Sequence, residues 1–234
     1  MSDRHDVAST LPWMREGTTH LTRTVEKLAD DDFRAPSALP GWTRAHVVGH
    51  LARNAEALTR LATWARTGVE TPMYPGPDAR AAEIEESATH GPEVLRRELA
   101  GTAETLDASL DALTPDQWHA QVRSALGRAI PAAEIPWMRI REVWLHAVDL
   151  DAGATVADLP DGVVDLLLED VCAVLSSKEG CPSLELVATD RERSWPLGPA
   201  VATPSRITGC AADLVAWLTG RTRADDRPAV PRWL

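Results

Sequence analysis

The stretch WMRIREVWLHAVDL, from Trp137 to Leu150, carries apolar residues around most of the circumference of a helix. A helix of this kind is buried rather than lying at the surface. It nevertheless contains Glu142 and His146, whose spacing of four places both side chains on one face, a single turn apart. An ionised carboxylate in such surroundings is costly unless a cation compensates it. The stretch therefore predicts a central helix with a polar pair inside the fold.

Two interpretations of this pair are open. A buried ion pair between the glutamate and a protonated histidine would satisfy the carboxylate, and structural ion pairs are common. A divalent metal ion would satisfy both side chains as well. His50 favours the metal, because it borders the inner face of another predicted helix. Two histidines and one carboxylate fit a catalytic zinc site whose fourth position stays open for water or a thiol.

His46 lies one turn before His50 in the segment HVVGH. The spacing is that of the H-E-x-x-H helix of metalloproteases, but Val47 stands where that motif has its general base, so this interpretation fails. We expect His46 to pack or to support a ligand rather than bind metal. His20, on the first predicted helix, is expected to be packed or exposed.

Four helices with apolar inner faces are predicted in the first two thirds of the chain. Their ranges are 11–29, 43–67, 92–113 and the stretch that begins at Pro136. Thr43 is a good N-cap and Gly68 a good stop for the second helix. A proline-rich loop, Glu70–Arg80, leads into a short helix, whereas residues 120–135 have weak periodicity. Four such helices form a bundle, in which facing helices can build a metal site.

The pattern changes near residue 155. Asp161 is expected to cap a helix through Ser177, and Gly220 to end the last helix. Between them we predict a hairpin over 184–189 and 192–197 and a third strand over 202–208. The sequence thus predicts an α+β protein of two domains, with a four-helix bundle at 1–154 and a small α/β domain at 155–234.

Composition excludes several classes of function. The formal net charge is −11, and no block of five or more like charges occurs, which argues against a nucleic-acid surface and a polybasic membrane patch. The N-terminus lacks the pattern of a signal peptide, and no apolar run reaches the ~18 residues of a membrane span. We expect a soluble, cytoplasmic monomer without nucleic-acid or membrane partners.

The three cysteines are Cys172, Cys181 and Cys210, and they form no C-x-x-C motif. An odd number without that motif indicates neither a disulfide framework nor a zinc knuckle. We interpret them as small core or loop residues.

Four segments carry a specific resemblance to a known family. They are LPGWTRAHVVGHLARNAEAL (Leu39–Leu58), ETPMYPGPDARAAEI (Glu70–Ile84), WMRIREVWLHAVDL (Trp137–Leu150) and PRWL (Pro231–Leu234). Together they resemble the mycothiol-dependent maleylpyruvate isomerases along nearly the whole chain. The resemblance implies an N-terminal DinB-like metal-binding four-helix bundle and a small C-terminal α/β domain similar to sterol-carrier folds.

The resemblance also implies site residues and an activity. The family's zinc ligands fall on His50, Glu142 and His146, the arginine associated with mycothiol binding falls on Arg221, and a loop arginine falls on Arg80. Both arginines would act in catalysis. The implied reaction is the zinc- and mycothiol-dependent cis–trans isomerisation of maleylpyruvate to fumarylpyruvate, a step of gentisate breakdown.

This chemistry explains the residue types. A carbon–carbon double bond rotates only after a nucleophile has added to it, and a thiolate both adds and leaves readily. Zinc deprotonates a coordinated thiol. Mycothiol can therefore supply the thiolate nucleophile, and none of the chain's own cysteines is needed for that role. Maleylpyruvate carries two carboxylates, and a chain of net charge −11 therefore needs local arginines to bind it.

Two other functions are open. A mycothiol S-transferase acting on another electrophile would keep the metal ligands but could dispense with the resemblance in the loop and the tail. A non-enzymatic, metal-stabilised bundle joined to a ligand-carrier domain is the second alternative. Against it, a structural zinc site usually has four protein ligands, and the sequence identifies three.

Overall fold

The computed structural model describes residues 3–76, 78–200, 203–223 and 226–233. These residues form two compact units, Asp3–Ala154 and a second unit that begins at Thr155. The first unit is mainly helical, and the second combines two helices with a three-stranded sheet. The predicted α+β class is therefore confirmed.

The first unit is built on four long helices and one short one. They are α1 (Val7–Glu26), α2 (Arg44–Thr67), α3 (Ala79–Ala88), α4 (Pro92–Asp111) and α5 (Ile135–Asp149). α2 packs against α4 and α5, while α1 packs mainly against α5. The core of α2 consists of leucine, valine and alanine, which are fully buried along its inner face.

Both ends of α2 lie where the sequence predicts them. Thr43 is the N-cap, and Gly68 is the C-cap with a φ of 73°, a left-handed conformation that glycine adopts without strain. The predicted start of α1 near Leu11 is wrong, because Asp6 caps the helix by accepting a hydrogen bond from the Ala8 N–H. Pro12 consequently lies inside α1 rather than at its first turn.

A small hairpin occupies part of the segment for which no regular structure was predicted. Strands β1 (Gln121–Arg123) and β2 (Ala129–Pro131) pair antiparallel and place Val122 opposite Ile130. Both of these side chains are buried. Strands this short show too few alternations for a periodic pattern to reveal them.

The second unit contains α6 (Asp161–Ser176), β3 (Leu184–Ala188), β4 (Ser194–Leu197), β5 (Ser205–Gly209) and α7 (Ala211–Leu218). β3 is the central strand, antiparallel to β4 and parallel to β5. The hairpin and both helices are confirmed. Pro160 rather than Asp161 is the N-cap of α6, and Asp161 instead lies in the first turn, where a carboxylate interacts favourably with the helix dipole.

The third strand of the second unit, β5, begins at Ser205. The beginning of the predicted strand, at Ala202, lies outside the described residues. None of the described helices combines the length and the apolar character that crossing a bilayer would require.

Candidate metal centre

α2 and α5 bring together the three side chains that the sequence singled out. The Nε2 atom of His50 lies 2.8 Å from Oε2 of Glu142, although 92 residues separate them in sequence. The Nε2 atom of His146 lies 3.2 Å from the same oxygen. One potential ligand atom from each residue lies within 4.8 Å of the other two. The three donors therefore converge on one point of the bundle.

The geometry fits a small divalent cation. Four ligands at about 2.1 Å in a tetrahedron are separated from one another by about 3.4 Å, and the two histidine nitrogens lie 2.8 and 3.2 Å from the shared carboxylate oxygen. The two imidazole nitrogens and the carboxylate oxygen also form a donor set typical of zinc. The residues present therefore fit the metal that the resemblance implies.

One side of the cluster is open. The His50 side chain is 2% exposed, whereas Glu142 and His146 are 28% and 17% exposed. The bundle thus encloses the cluster on the side of His50 and leaves it accessible to solvent on the side of Glu142 and His146. An open position of this kind distinguishes a catalytic metal site from a structural one.

The pKa shifts within the cluster differ from residue to residue. Burial lowers the pKa of His50 in spite of the nearby Glu142 carboxylate. Burial alone would raise the pKa of Glu142, but His50 and His146 outweigh it and hold that pKa well below its ordinary value. For His146, burial would lower the pKa, yet hydrogen bonds to Asp149 and Glu142 raise it. A proton would therefore compete with a metal ion at His146.

Metal affinity should depend on pH with the sign that these shifts dictate. Below the raised pKa of His146, which lies above the ordinary value of 6.5, the metal must displace one proton, so affinity should fall by about one decade per pH unit. His50 should not contribute a second displaced proton until the pH is more acidic, because the pKa of His50 is lowered. Zinc titrations against a chelator between about pH 5.5 and 8 measure the slope. A slope of two would contradict these assignments.

Asp149 is a buried carboxylate that sequence reasoning missed. Its Oδ2 atom lies 2.8 Å from Nδ1 of His146, and its side chain is 2% exposed. A carboxylate on the far ring nitrogen fixes the tautomer of a histidine ligand and raises its basicity. The signal was available as a histidine followed three residues later by an aspartate in HAVD, one turn along the same helix.

Replacing this carboxylate should weaken metal binding without removing a ligand. We expect Asp149→Asn to lower zinc affinity about 10- to 100-fold, because a neutral amide does not raise the basicity of the His146 ring as the carboxylate does. Chelator competition at pH 7.5 is the measurement. Asp151→Asn is the matched control, since Asp151 is exposed and has a φ of 50° that asparagine also tolerates. Equal affinities in both variants would show that Asp149 does not support the site.

His46 is part of the cap of α2. Its Nδ1 accepts a hydrogen bond from the Thr43 N–H at 3.2 Å and lies 2.7 Å from Thr43 Oγ1. Its ring stacks on Trp42, whose indole also faces His50 at 5.6 Å between ring centroids. Among the described residues, the group that could hold a metal ion consists of His50, Glu142 and His146 and does not include His46. His46 therefore supports the end of the helix that carries His50.

Tyr74, in the loop before α3, and Arg80, in the first turn of α3, interact electrostatically with the cluster. The positive charge of Arg80 contributes to the lowered pKa of His50. Burial raises the pKa of Tyr74, and both Arg80 and Glu142 act on its hydroxyl. Tyr74 is the only tyrosine in the chain, and sequence reasoning did not single it out. Its place in the loop MYPG, next to a candidate arginine, was the available signal.

Arg221 follows α7, and His20 is on α1. Arg221 belongs to the second unit, where its backbone N–H donates to the Ala216 carbonyl at 2.8 Å and its Nη1 to the Thr219 carbonyl at 3.3 Å. These contacts are those of an arginine at a helix C-terminus. His20 stacks on Trp144 with 5.1 Å between ring centroids, so it packs between α1 and α5.

The cysteines are poor candidates for a reactive thiol. Cys172 and Cys181 are buried, Cys210 is half-buried, and all three are unpaired thiols. Burial raises the pKa of Cys172 to about 12, and burial also raises the pKa of each of the other two. A thiol with a raised pKa is protonated at neutral pH and a weak nucleophile.

The four long helices and the inward-facing cluster of two histidines and a glutamate define a class of protein, the DinB-like four-helix bundles. Comparison with known proteins narrows the class. The sequence model described as "Mycothiol maleylpyruvate isomerase N-terminal domain" matches residues 14–151. The chain therefore belongs to the family of mycothiol-dependent maleylpyruvate isomerases, as the sequence resemblance predicted.

Solved structures support the same assignment. A crystal structure of the mycothiol-dependent maleylpyruvate isomerase is 35% identical, covers 100% of both chains and superposes with a TM-score of 0.92. The crystal structure of a histidine-to-alanine mutant of that enzyme is also 35% identical, covers 100% of both chains and superposes with a TM-score of 0.90. YfiT from Bacillus subtilis, described as a probable metal-dependent hydrolase with an unusual four-helix bundle topology, shares the fold alone. It is 20% identical over 64% of this chain and 87% of its own, with a TM-score of 0.53. No curated protein matched the sequence.

Proposed function

We propose that this isomerase converts maleylpyruvate to fumarylpyruvate, with zinc and mycothiol as cofactors. The observation that carries the proposal is the open cluster of His50, Glu142 and His146 in a chain that matches a mycothiol-dependent maleylpyruvate isomerase over its full length. The three residues would hold the metal and leave one position for a thiol sulfur. The expectations of a monomer and of a cytoplasmic location stay predictions.

The protein residues have distinct roles in this proposal. A zinc ion held by the cluster would supply a Lewis acid that keeps a coordinated thiol ionised at neutral pH. Glu142 is ionised and His50 neutral before the metal binds, so both are ready as ligands. Asp149 orients the ring of His146. The His50 side chain is 2% exposed, and electrostatic interactions are stronger in such a buried environment than in bulk water.

Arg80 and Arg221 would bind anionic groups. Arg80 is exposed at the start of α3 and its charge reaches the cluster, so it is placed to attract a carboxylate of the substrate. Arg221 is proposed to bind mycothiol, as the sequence resemblance implies. We further propose that the bundle holds the metal and that the second unit, which the sequence likens to sterol-carrier folds, contributes Arg221.

A direct assay tests the function. Purified protein, mycothiol and maleylpyruvate are mixed, and the absorbance of the substrate is followed while each component is omitted in turn. We expect isomerisation only in the complete mixture, with mycothiol regenerated rather than consumed. Consumption of mycothiol with a different electrophile would favour an S-transferase. Metal-loaded protein that shows neither reaction would contradict an enzymatic function and favour the carrier alternative.

Removing either arginine should change kinetics rather than folding. We expect Arg80→Met to raise the KM for maleylpyruvate, and Arg221→Met the KM for mycothiol, each about tenfold or more, because one charge-assisted contact is worth about 1.4 kcal/mol or more. If Arg221 serves only the end of α7, its removal should instead cost at most ~1 kcal/mol of stability and leave rates unchanged.

The control for these variants is Arg97→Met. Arg97 is exposed on α4, so its removal changes the net charge equally without touching the proposed contacts. Initial rates against each substrate, together with melting curves and zinc content, separate the outcomes. Unaltered KM values in Arg80→Met and Arg221→Met would remove both residues from the site.

A further inference from the structure

The short helix α3 makes its main contact with α2. Three of its side chains, Arg80, Ile84 and Ser87, are spaced i, i+4 and i+7 and therefore share one face of the helix. Ile84 and Ser87 are each 2% exposed, so this face lies against α2. Arg80 begins the same stripe but is itself exposed. The packed face of α3 thus leads directly to the arginine proposed to bind substrate.

The two helices come closest at Gly49, the residue before His50. A Cβ atom at Gly49 would lie 2.6 Å from Cβ of Ser87, whereas carbon atoms in ordinary contact are about 3.5–4.0 Å apart. Gly49 lies inside α2 and is not among the glycines with positive φ, and glycine inside a helix costs stability relative to alanine. Backbone conformation therefore does not explain this glycine. It provides the room that α3 needs to lie against α2.

The loop before α3 is attached to α2 as well. Nη1 of Arg60 donates to the Met73 carbonyl at 2.6 Å, and Oγ1 of Thr71 donates to the Arg60 carbonyl at 2.7 Å. Met73 is also buried. Together with the contact at Gly49, these bonds hold both ends of the segment on the helix that supplies His50.

This segment carries Arg80, which interacts electrostatically with His50 and Tyr74. A charge-assisted contact to a carboxylate depends on distance and direction, and a displacement of about 1 Å in a positioning group can cost about 100-fold in rate. Ser87 and Arg80 are two turns of α3 apart, or about 10 Å. The spacing at Ser87 therefore sets how far the whole of this short helix stands from α2.

We propose that Gly49 is a positioning residue of the metal centre. By admitting Ser87 to close contact, it fixes α3 at the distance from α2 at which Arg80 binds a carboxylate of the substrate. The proposal rests on the function proposed for Arg80, and Gly49 acts through that arginine. Because α2 also packs against α4 and α5, whereas α3 packs mainly on α2, a side chain at position 49 should displace α3 and leave His50 in place.

Gly49→Ala tests the proposal in zinc-loaded protein. Maleate is the probe, because it carries two carboxylates and has no thiol to react with when mycothiol is omitted. We expect the affinity for maleate, measured by isothermal titration, to fall about tenfold or more. The KM for maleylpyruvate should rise in parallel, while zinc content and the KM for mycothiol stay unchanged. Gly101→Ala is the matched control, since a Cβ atom there would meet nothing within 4 Å.

Two double variants separate positioning from a contact that only stabilises the fold. Ser87→Gly removes the Cβ atom that a new side chain at position 49 would meet, so Gly49→Ala combined with Ser87→Gly should recover most of the affinity for maleate. In protein that carries Arg80→Met, Gly49→Ala should have no further effect on this affinity, because the group that it displaces is gone. If Gly49→Ala does not fold, Ser87→Val crowds the same contact from α3 and should give the same loss.

The outcomes distinguish this proposal from the function on which it rests. Weaker maleate binding in Arg80→Met beside normal binding in folded Gly49→Ala or Ser87→Val would overturn the role of Gly49 alone. Normal binding in Arg80→Met, or no saturable binding to the wild type, would overturn the role of Arg80 as well. Loss of zinc from Gly49→Ala, or a loss of affinity that persists in the variant with Ser87→Gly, would contradict positioning through α3.

Discussion

His50→Ala should purify without its metal and should lose isomerase activity. His50 supplies the only proposed ligand from α2, and the two ligands left on α5 would not complete a zinc site. A bound metal contributes several kcal/mol to stabilising a transition state, so a loss of about three decades in rate is expected. Zinc content by elemental analysis and initial rates at saturating mycothiol are the measurements.

His46→Ala is the matched control for this variant. It removes a histidine of the same helix one turn earlier, where the side chain caps α2 through Thr43. We expect it to keep its zinc and most of its activity and to lose about 1 kcal/mol of stability, the usual cost of a lost cap. If His50→Ala retained its zinc while His46→Ala lost it, the proposed ligand set would be wrong.

Gly17→Val should cause a large loss of stability although it lies outside the metal site. A Cβ atom at Gly17 would lie 2.5 Å from Nε1 of Trp144 and 2.6 Å from Cγ2 of Val143. Trp144 cannot move aside, because it is 2% exposed and its indole donates to the Trp13 carbonyl at 3.2 Å. Overpacking of this kind costs about 3 kcal/mol. In a chain of this length the melting temperature should fall by about 10 °C.

The control is Gly101→Ala, on the exposed face of α4, where an added Cβ atom would meet nothing within 4 Å. Because glycine inside a helix is unfavourable relative to alanine, this variant should gain about 0.5–1 kcal/mol. Urea unfolding of both variants measures the difference. A destabilisation of Gly17→Val no larger than that of ordinary surface changes would show that α1 and α5 adjust their packing at this position. Overpacking in Gly17→Val should also push α5 outward and lower the affinity for zinc, since α5 carries Glu142 and His146.

The sequence by itself determined the features that arise from neighbours along the chain. The ends of α2 follow from Thr43 and Gly68, whose capping preferences are properties of single residues. The pairing of Glu142 with His146 follows from helical periodicity alone. The apolar inner faces of four helices predicted the bundle, and the family resemblance predicted the activity. Both predictions depend on which residue types occur at which positions and not on contacts between distant residues.

Only the tertiary structure decided what depends on residues far apart in sequence. It brought His50 to Glu142 across 92 residues, placed Tyr74 and Arg80 where they interact electrostatically with the cluster, and revealed Asp149 as the partner of His146. It also left Nε and Nη2 of Arg139 buried without a hydrogen-bond partner among the described residues. Periodicity identifies which face of a helix is inward, but it does not identify what that face meets. The partner of a buried charge is set by how the helices pack, and packing is a property of the whole unit.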